Sequence, residues 1–150
     1  MKDRHAESLG FLLNDLSQIM RKRFDRRARE LELTRAQWRV LSRLRYRPGI
    51  NQTTLAELLE VEPITLARHI DRLEEKAWVY RRSDPSDRRA WRLFLNDSVQ
   101  PVLDEMQKIS EWNQDAALRY FNGTEREVLF THLQRIKENL LKAEAADEEA

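Results

Sequence analysis

A mainly α-helical fold with one small β-hairpin is predicted for this chain, and three observations carry the prediction. Apolar residues recur at three- and four-residue spacing over long stretches, the pattern of amphipathic helices. Only 3 Gly and 4 Pro occur in 150 residues, so few turns interrupt those helices. A single short segment alternates apolar and polar side chains, following a turn-rich stretch, and reads as a strand. The length suits one domain with a core of its own, spanning residues 1–150.

The first helix covers residues 8–31, where Leu9, Leu13, Leu16, Met20, Phe24, Ala28 and Leu31 form one stripe. The second covers 34–46. It opens on Thr34-Arg-Ala-Gln37, in which hydroxyl and carboxamide can cap each other's backbone, and it stops at Pro48-Gly49. Its inner face is Trp38, Val40, Leu41 and Leu44. A short third helix, 51–59, starts from Asn51 as cap and buries Leu55, Leu58 and Leu59. The fourth, 62–76, carries Pro63 in its first turn, where a missing N–H costs nothing. Strands follow at 79–82 and 91–95, the second alternating Trp91, Leu93 and Leu95 with Arg92 and Phe94. A fifth helix runs over 97–120 with Val102, Met106, Ile109, Ala116 and Tyr120 along one side. Asn122-Gly123 breaks it, and Thr124-Glu-Arg-Glu127 reads as a second capping box. The last helix, 124–143, aligns Leu129, Leu133, Ile136, Leu140 and Ala143, and the acidic tail 144–150 is expected to fray.

Composition excludes several classes of function. Without Cys there is no disulfide, thiolate metal site or thiol switch. His5, His69 and His132 are too scattered for a metal site, which weakens the alternative of a metal-sensing repressor; no cofactor is expected. Gly-rich phosphate loops, Gly-x-Ser-x-Gly and His-Glu-x-x-His are all missing, so no catalytic residue is proposed and an enzyme is not expected. No apolar run approaches the ~18 residues of a membrane helix. The first eleven residues lack an apolar signal core, so a cytoplasmic location is expected.

Charge is informative by its distribution rather than its sum of +1. Residues 1–95 carry a balance of +7 and residues 96–150 one of −6. A polyanion contacting only the N-terminal part would explain that asymmetry, although solvated helix faces would also tolerate it. Arg supplies 21 of the 27 cations, and Arg suits phosphate forks and base edges.

Residues 34–95 have the element order of a winged helix-turn-helix: 51–59 as positioning helix, Leu59-Glu60-Val61 as turn, and 62–76 as recognition helix. Helical spacing puts Leu66, Ile70, Leu73 and Ala77 inward and Thr65, Arg68, Arg72 and Ile64 outward. The outward set matches a major-groove reader: Arg for guanine, Thr for a base or phosphate, Ile for a thymine methyl. Pro63, His69 and, on the positioning helix, Thr53 join it as candidate DNA-facing residues. A surface helix with Arg72–Glu75 pairing is the plain alternative. The hairpin tip favours DNA, because Asp87-Arg88-Arg89 places cations where a minor groove could receive them, with Asp87 expected to hold an Arg side chain by a salt bridge. A purely structural helical dimer would not need such a tip.

The chain resembles the MarR family of bacterial regulators, nearest to its SlyA-like members. The resemblance rests on Leu33-Thr-Arg-Ala-Gln-Trp-Arg-Val-Leu41, Asn51-Gln-Thr-Thr-Leu-Ala-Glu-Leu58, Ile70-Asp-Arg-Leu-Glu-Glu-Lys76, and Asp87-Arg-Arg-Ala90 with Leu93-Phe-Leu95. It implies a homodimer held by helices 8–31 and 97–143, whose apolar stripes have little else to bury them. By resemblance Arg89 enters the minor groove, Asp87 supports the wing, Thr65 and Arg68 contact DNA from the recognition helix, and Trp38 borders a ligand cleft. The implied function is a transcriptional regulator, acting as a repressor, on a palindromic double-stranded operator. Recognition helices would lie roughly 34 Å apart. A small aromatic carboxylate or phenolic effector would change that spacing, with Trp38 stacking and Arg39 and Arg43 meeting the carboxylate; a ligand-independent regulator is the alternative. On the plain reading Trp38 is core and Arg35, Arg39 and Arg43 are a solvated stripe. Two departures stand out: Ala77 replaces the family's usual Gly at the end of the fourth helix, and Asn96 replaces Thr after the second wing strand.

Overall fold

The computed structural model describes residues 8–149 and is mostly helical, with one small antiparallel sheet. The chain divides into two compact units, Met1–Asn113 and Gln114–Ala150. No helix among the described residues is long and apolar enough to cross a membrane.

The first unit begins with α1 (Leu9–Ala28), capped by Ser8, whose hydroxyl accepts from the Phe11 N–H. A 3-10 turn at Arg29–Leu31 ends it. Phe24 and Ala28 are buried, whereas Leu9, Phe11, Leu12, Leu13, Leu16, Ile19 and Met20 are exposed. The expected stripe therefore splits: its C-terminal end enters the core and its N-terminal end does not. Helix α2 (Arg35–Tyr46) starts from the expected capping box, with both reciprocal bonds formed between Thr34 and Gln37. Then follow β1 (Ile50–Asn51), α3 (Gln52–Leu59), α4 (Pro63–Glu75), β2 (Val79–Ser83), β3 (Trp91–Leu95), a 3-10 turn at Asp97–Val99 and α5 (Gln100–Ala117).

The sheet has three strands in the order β1-β3-β2, not the two of a hairpin. Ile50 pairs with Leu93 and Asn51 with Arg92. A two-residue strand shows no periodicity, and Asn51 doubles as the cap of α3, its side chain accepting from the Thr53 N–H at 2.8 Å. Gly49 turns the chain into β1 with φ +78°, and a Cβ there would lie 3.2 Å from the Phe94 ring.

The core closes where α2, α3, α4 and the sheet converge. Leu41, Leu44, Leu55, Leu66, Ile70, Leu73 and Leu93 are fully buried there, joined by Val99, Leu103 and Met106 from the segment leading into and along α5. Leu58, expected inside, is exposed, and Ala56 takes the inner place beside Leu55 and Leu59. Positions 55, 56 and 59 lie on one helical face, and 58 falls outside it. A polar tie joins α1 to α5: Asn113 is buried, its amide donates to the Met20 carbonyl at 2.9 Å, and its oxygen accepts from Arg23 Nε at 2.9 Å.

The second unit contains the end of α5 and α6 (Gly123–Glu149). Tyr120, expected on the α5 stripe, lies beyond the helix, is almost wholly exposed and has φ +70°. The capping box sits two residues earlier than expected: Asn122 and Glu125, rather than Thr124 and Glu127, exchange backbone and side-chain bonds at 2.8 Å. Helix α6 continues through Glu149 instead of fraying after 143, consistent with the Ala and Glu residues there, which are good helix formers; Ala150 lies outside the described residues. Val128, Phe130, Leu133, Leu140 and Leu141 are exposed along it.

With so few glycines, the chain ends its helices on other residues. Ala77, expected on the inner face of α4, is exposed and left-handed at φ +58°. The Trp78 N–H reaches the Leu73 carbonyl at 3.0 Å and the Ala77 N–H the Glu74 carbonyl at 2.8 Å, a Schellman ending. The helix thus closes as a glycine would close it, at a cost of roughly 1–2 kcal/mol in Cβ crowding. Ala77→Gly should raise the urea midpoint of unfolding with an unchanged slope, by about 1 kcal/mol of stability. A midpoint that stays put or falls would show that Ala77 is not strained.

Candidate nucleic-acid interface

Helices α3 and α4 meet at a tight turn where Glu60 is left-handed at φ +53°. Its N–H donates toward the Ala56 and Glu57 carbonyls, and that of Val61 to Ala56. Pro63 then occupies the first turn of α4. Because Leu66, Ile70 and Leu73 are fully buried, the helix has one possible rotation, and it leaves Pro63, Ile64, Thr65, Arg68 and Arg72 exposed. Ile64 is 66% exposed, which is unusual for an isoleucine beside two cations. Among the described residues neither Arg68 nor Arg72 has a carboxylate partner, and the alternative Arg72–Glu75 pair is not formed. Thr53 is exposed at the start of α3. His69 differs from this set: it is half-buried and lines a cavity with Val40 and Leu66. Burial, then the neighbouring Arg72, push its imidazole below the usual value, so it is neutral near pH 7.

Strands β2 and β3 form the wing, from Val79 opposite Leu95 to Ser83 opposite Trp91. Arg82 and Arg92 face each other across it. Like charges in that position repel, and each has its own relief. Arg82 lies over the stacked rings of Tyr80 and Phe94, 5.2 and 5.7 Å from their centroids. Arg92 donates through Nε to Asp84 at 2.9 Å.

The wing's ion pair therefore involves Asp84, and the expectation for Asp87 is corrected. Asp84 is buried and accepts from the Ser86 hydroxyl at 2.7 Å, the Ser86 N–H at 2.9 Å and Arg92. The Ser86 hydroxyl and N–H, followed by Arg92, hold its carboxyl well below the usual carboxylate range. Among the described residues Asp87 makes no salt bridge. Its carboxylate accepts from the Arg89 backbone N–H at 2.9 Å, an Asx turn that shapes the tip. A short side chain two residues before an N–H closes that local bond without reaching across the loop. Arg88 and Arg89 are both exposed.

Arg81 ties the wing to the helices. Its Nε donates to Gln52 at 3.0 Å, one terminal nitrogen to Asp71 at 2.7 Å with Glu74 at 3.2 Å, and the other to the Ala67 carbonyl at 3.1 Å. No local spacing marks Arg81, because its partners lie 7 to 29 residues away. Asp84 carries no sequence signal that sets it above Asp87, which stands directly before the two wing-tip arginines.

The three candidate ligand residues come together. Trp38, Arg39 and Arg43 line a groove of about 340 Å³ with Ser17, Arg21 and Tyr46. Trp38 is not simply core. It packs on Phe24 with ring centroids 4.4 Å apart and donates to Asp25 at 2.7 Å. Burial pushes the Asp25 carboxyl up, but hydrogen bonds from Arg35 and Trp38 outweigh it and its pKa is lowered. Nor are the three Arg a uniform solvated stripe: Arg35 is bound to Asp25, Arg39 is half-buried and Arg43 is exposed. Arg21 Nε is buried without a hydrogen-bond partner. Among the described residues no three His, Asp or Glu side chains gather to hold a metal ion; His5 lies outside them.

Comparison with known proteins agrees with this geometry. The family model described as MarR family matches residues 33–91, from the turn before α2 to the start of β3. A solved MarR is 30% identical, with a TM-score of 0.73 over 90% of this chain and 98% of its own. A MarR transcriptional regulator from Methanosarcina mazei Go1 is 27% identical, with a TM-score of 0.78 over 90% and 97%. A MarR-family regulator from Listeria monocytogenes, solved in complex with a 26-mer DNA, shares the fold at 21% identity, with a TM-score of 0.75 over 91% of each chain. With a winged helix-turn-helix, this wing and these relatives, the chain belongs to the MarR family of transcriptional regulators.

Proposed function

We propose that the protein is a repressor that binds a palindromic double-stranded DNA operator as a homodimer and responds to a small aromatic carboxylate or phenolic effector. The observation that carries the DNA reading is the exposed pair of surfaces just described. Thr65, Arg68 and Arg72 stand beside an exposed Ile64 on α4, and Arg88 and Arg89 on a wing braced by internal bonds. Free cations with an apolar neighbour on a fixed helix match a major-groove reader, and Arg at a hairpin tip matches a narrow minor groove. The Listeria relative's complex with DNA supports the same reading. Arg89, whose backbone Asp87 fixes, is the wing residue assigned to the groove.

The dimer reading rests on exposed apolar surface. Leu9, Phe11, Leu12, Leu16 and Ile19 on α1, and Val128, Phe130, Leu140 and Leu141 on α6, are left uncovered by the single chain. Runs of this kind mark an interface. The effector reading rests on the groove where Trp38 offers a ring face and Arg21, Arg39 and Arg43 offer cations to a carboxylate.

Selection of duplexes from a randomised library should yield two half-sites about one helical turn apart; recovery of single or unrelated sites would contradict the palindromic operator. On the selected duplex Arg68→Ala should cost about 1–3 kcal/mol and less on random DNA. Equal losses on both would reassign Arg68 to phosphate. Arg89→Ala should weaken binding more than Arg88→Ala and abolish any preference for A·T flanks. If the two variants behave alike and the preference survives, the wing does not read the minor groove. Sedimentation at micromolar concentration should give twice the 18.0 kDa chain mass, and Ile19→Asp should shift it toward monomer. A wild-type monomer would end the dimer reading.

A further inference from the structure

Arg39 borders two cavities. One is the effector groove. The other, about 260 Å³, lies toward α4 and is lined by Val61, Leu66 and His69; Leu59 lines both. One terminal nitrogen of Arg39 donates to the Leu59 carbonyl at 3.0 Å. Leu59 is the last residue of α3, immediately before left-handed Glu60. The turn's own N–H groups, from Glu60 and Val61, go to Ala56 and Glu57. Arg39 thus engages a carbonyl at the negative end of the α3 dipole that those bonds leave open. Helix α4 begins four residues later, at Pro63.

The same guanidinium sits in an excess of positive charge. Burial first, then Arg21, Arg35 and Arg43, disfavour its charged form, and among its neighbours Glu60 opposes them. Arg35 is occupied by Asp25, whereas Arg21 Nε has no partner. A carboxylate entering the groove would meet Arg21, Arg39 and Arg43 together, and a two-oxygen anion binds guanidinium by paired, charge-assisted bonds stronger than those of a neutral carbonyl.

We infer that Arg39 couples the groove to the helix-turn-helix: it holds the Leu59 carbonyl at the turn, and an anion in the groove competes for it. This rests on the effector reading above and adds its route. Occupation of the groove draws Arg39 from Leu59, uncaps α3, and loosens the turn that sets α4 against DNA. By linkage, DNA binding weakens anion binding by the same factor.

The test uses the full chain, benzoate as the anion and a duplex selected by the wild-type protein. Saturating benzoate should raise the wild-type Kd for the duplex about tenfold, within the usual range of such couplings. In Arg39→Gln the carboxamide falls short of the Leu59 carbonyl, which a terminal guanidinium nitrogen reaches, and carries no charge to attract, so benzoate should leave its Kd unchanged. Arg39→Gln and Arg39→Ala should both bind the duplex more weakly than wild type without benzoate, and neither should respond to it. If Arg39→Gln releases DNA in benzoate as fully as wild type, or both variants bind the duplex as tightly as wild type without it, the coupling role is overturned. Tryptophan fluorescence separates the two layers. A wild type that binds no benzoate sinks the effector reading and the competition with it, while the two variants compared without benzoate still judge the turn contact.

Discussion

The placement of the wing against α3 and α4 depends on one side chain, Arg81. A recognition helix and a wing can read neighbouring grooves only if their separation is fixed, and they are joined by a short connection containing a strained helix end at Ala77. Arg81 supplies the fixing bonds. From β2 it reaches Gln52 at the start of α3 and Ala67, Asp71 and Glu74 along α4. With its side chain only 15% exposed, it keeps these bonds largely out of water, whereas Asp71 is mostly solvated. The planar guanidinium serves several acceptors at once, which a lysine could not match. Removing it would take the Gln52 side chain's partner away and unlink β2 from α3 and α4, while water would meet the exposed Asp71 carboxylate.

Other arginines fall into distinct tasks. Arg92 is paired within the wing with Asp84, while Arg82, exposed and without a carboxylate partner among the described residues, is laid on aromatic rings. Arg23 and Arg27 flank Trp112 at 4.3 and 4.4 Å from its ring, and Arg23 also binds buried Asn113. These groups hold elements together. Arg68, Arg72, Arg88 and Arg89 lack such partners among the described residues and remain available on the surface. The basic excess of residues 1–95 is therefore not one patch. Part of it is structural, and the cations left unpaired include those on α4 and at the wing tip.

Much of this was legible in the sequence where periodicity was long or a cap was explicit. Helix α2, with Thr34 and Gln37 at its start, and α4, with Leu66, Ile70 and Leu73 turned inward, follow from side-chain spacing. So does the outward face with Arg68. What was not legible depended on contacts distant in sequence or on local backbone chemistry. Strand β1 exists because β3 lies beside Ile50 and Asn51, and two residues carry no pattern of their own. Asn122 and Thr124 both head plausible capping boxes, and only the backbone after Tyr120 decides between them. Asp84 and Asp87 both precede arginines, and the loop's geometry gives the ion pair to Asp84 and the turn to Asp87. Arg21 joins Trp38, Arg39 and Arg43 in one groove because α1 lies beside α2, a placement that no spacing in the sequence marks.

On the proposed function, α4 and the wing act as one rigid reader because Arg81 binds them together. A double-mutant cycle combining Arg81→Met with Arg89→Ala, read as affinity for the selected duplex with helix content checked by circular dichroism, tests it most directly. If Arg81 places the wing and Arg89, as proposed, enters the groove, the loss from Arg89→Ala should shrink without Arg81. A coupling of about 1–3 kcal/mol is predicted, above the roughly 0.3–0.5 kcal/mol within which independent sites add. Losses that simply add, with the fold intact in all variants, would contradict the account.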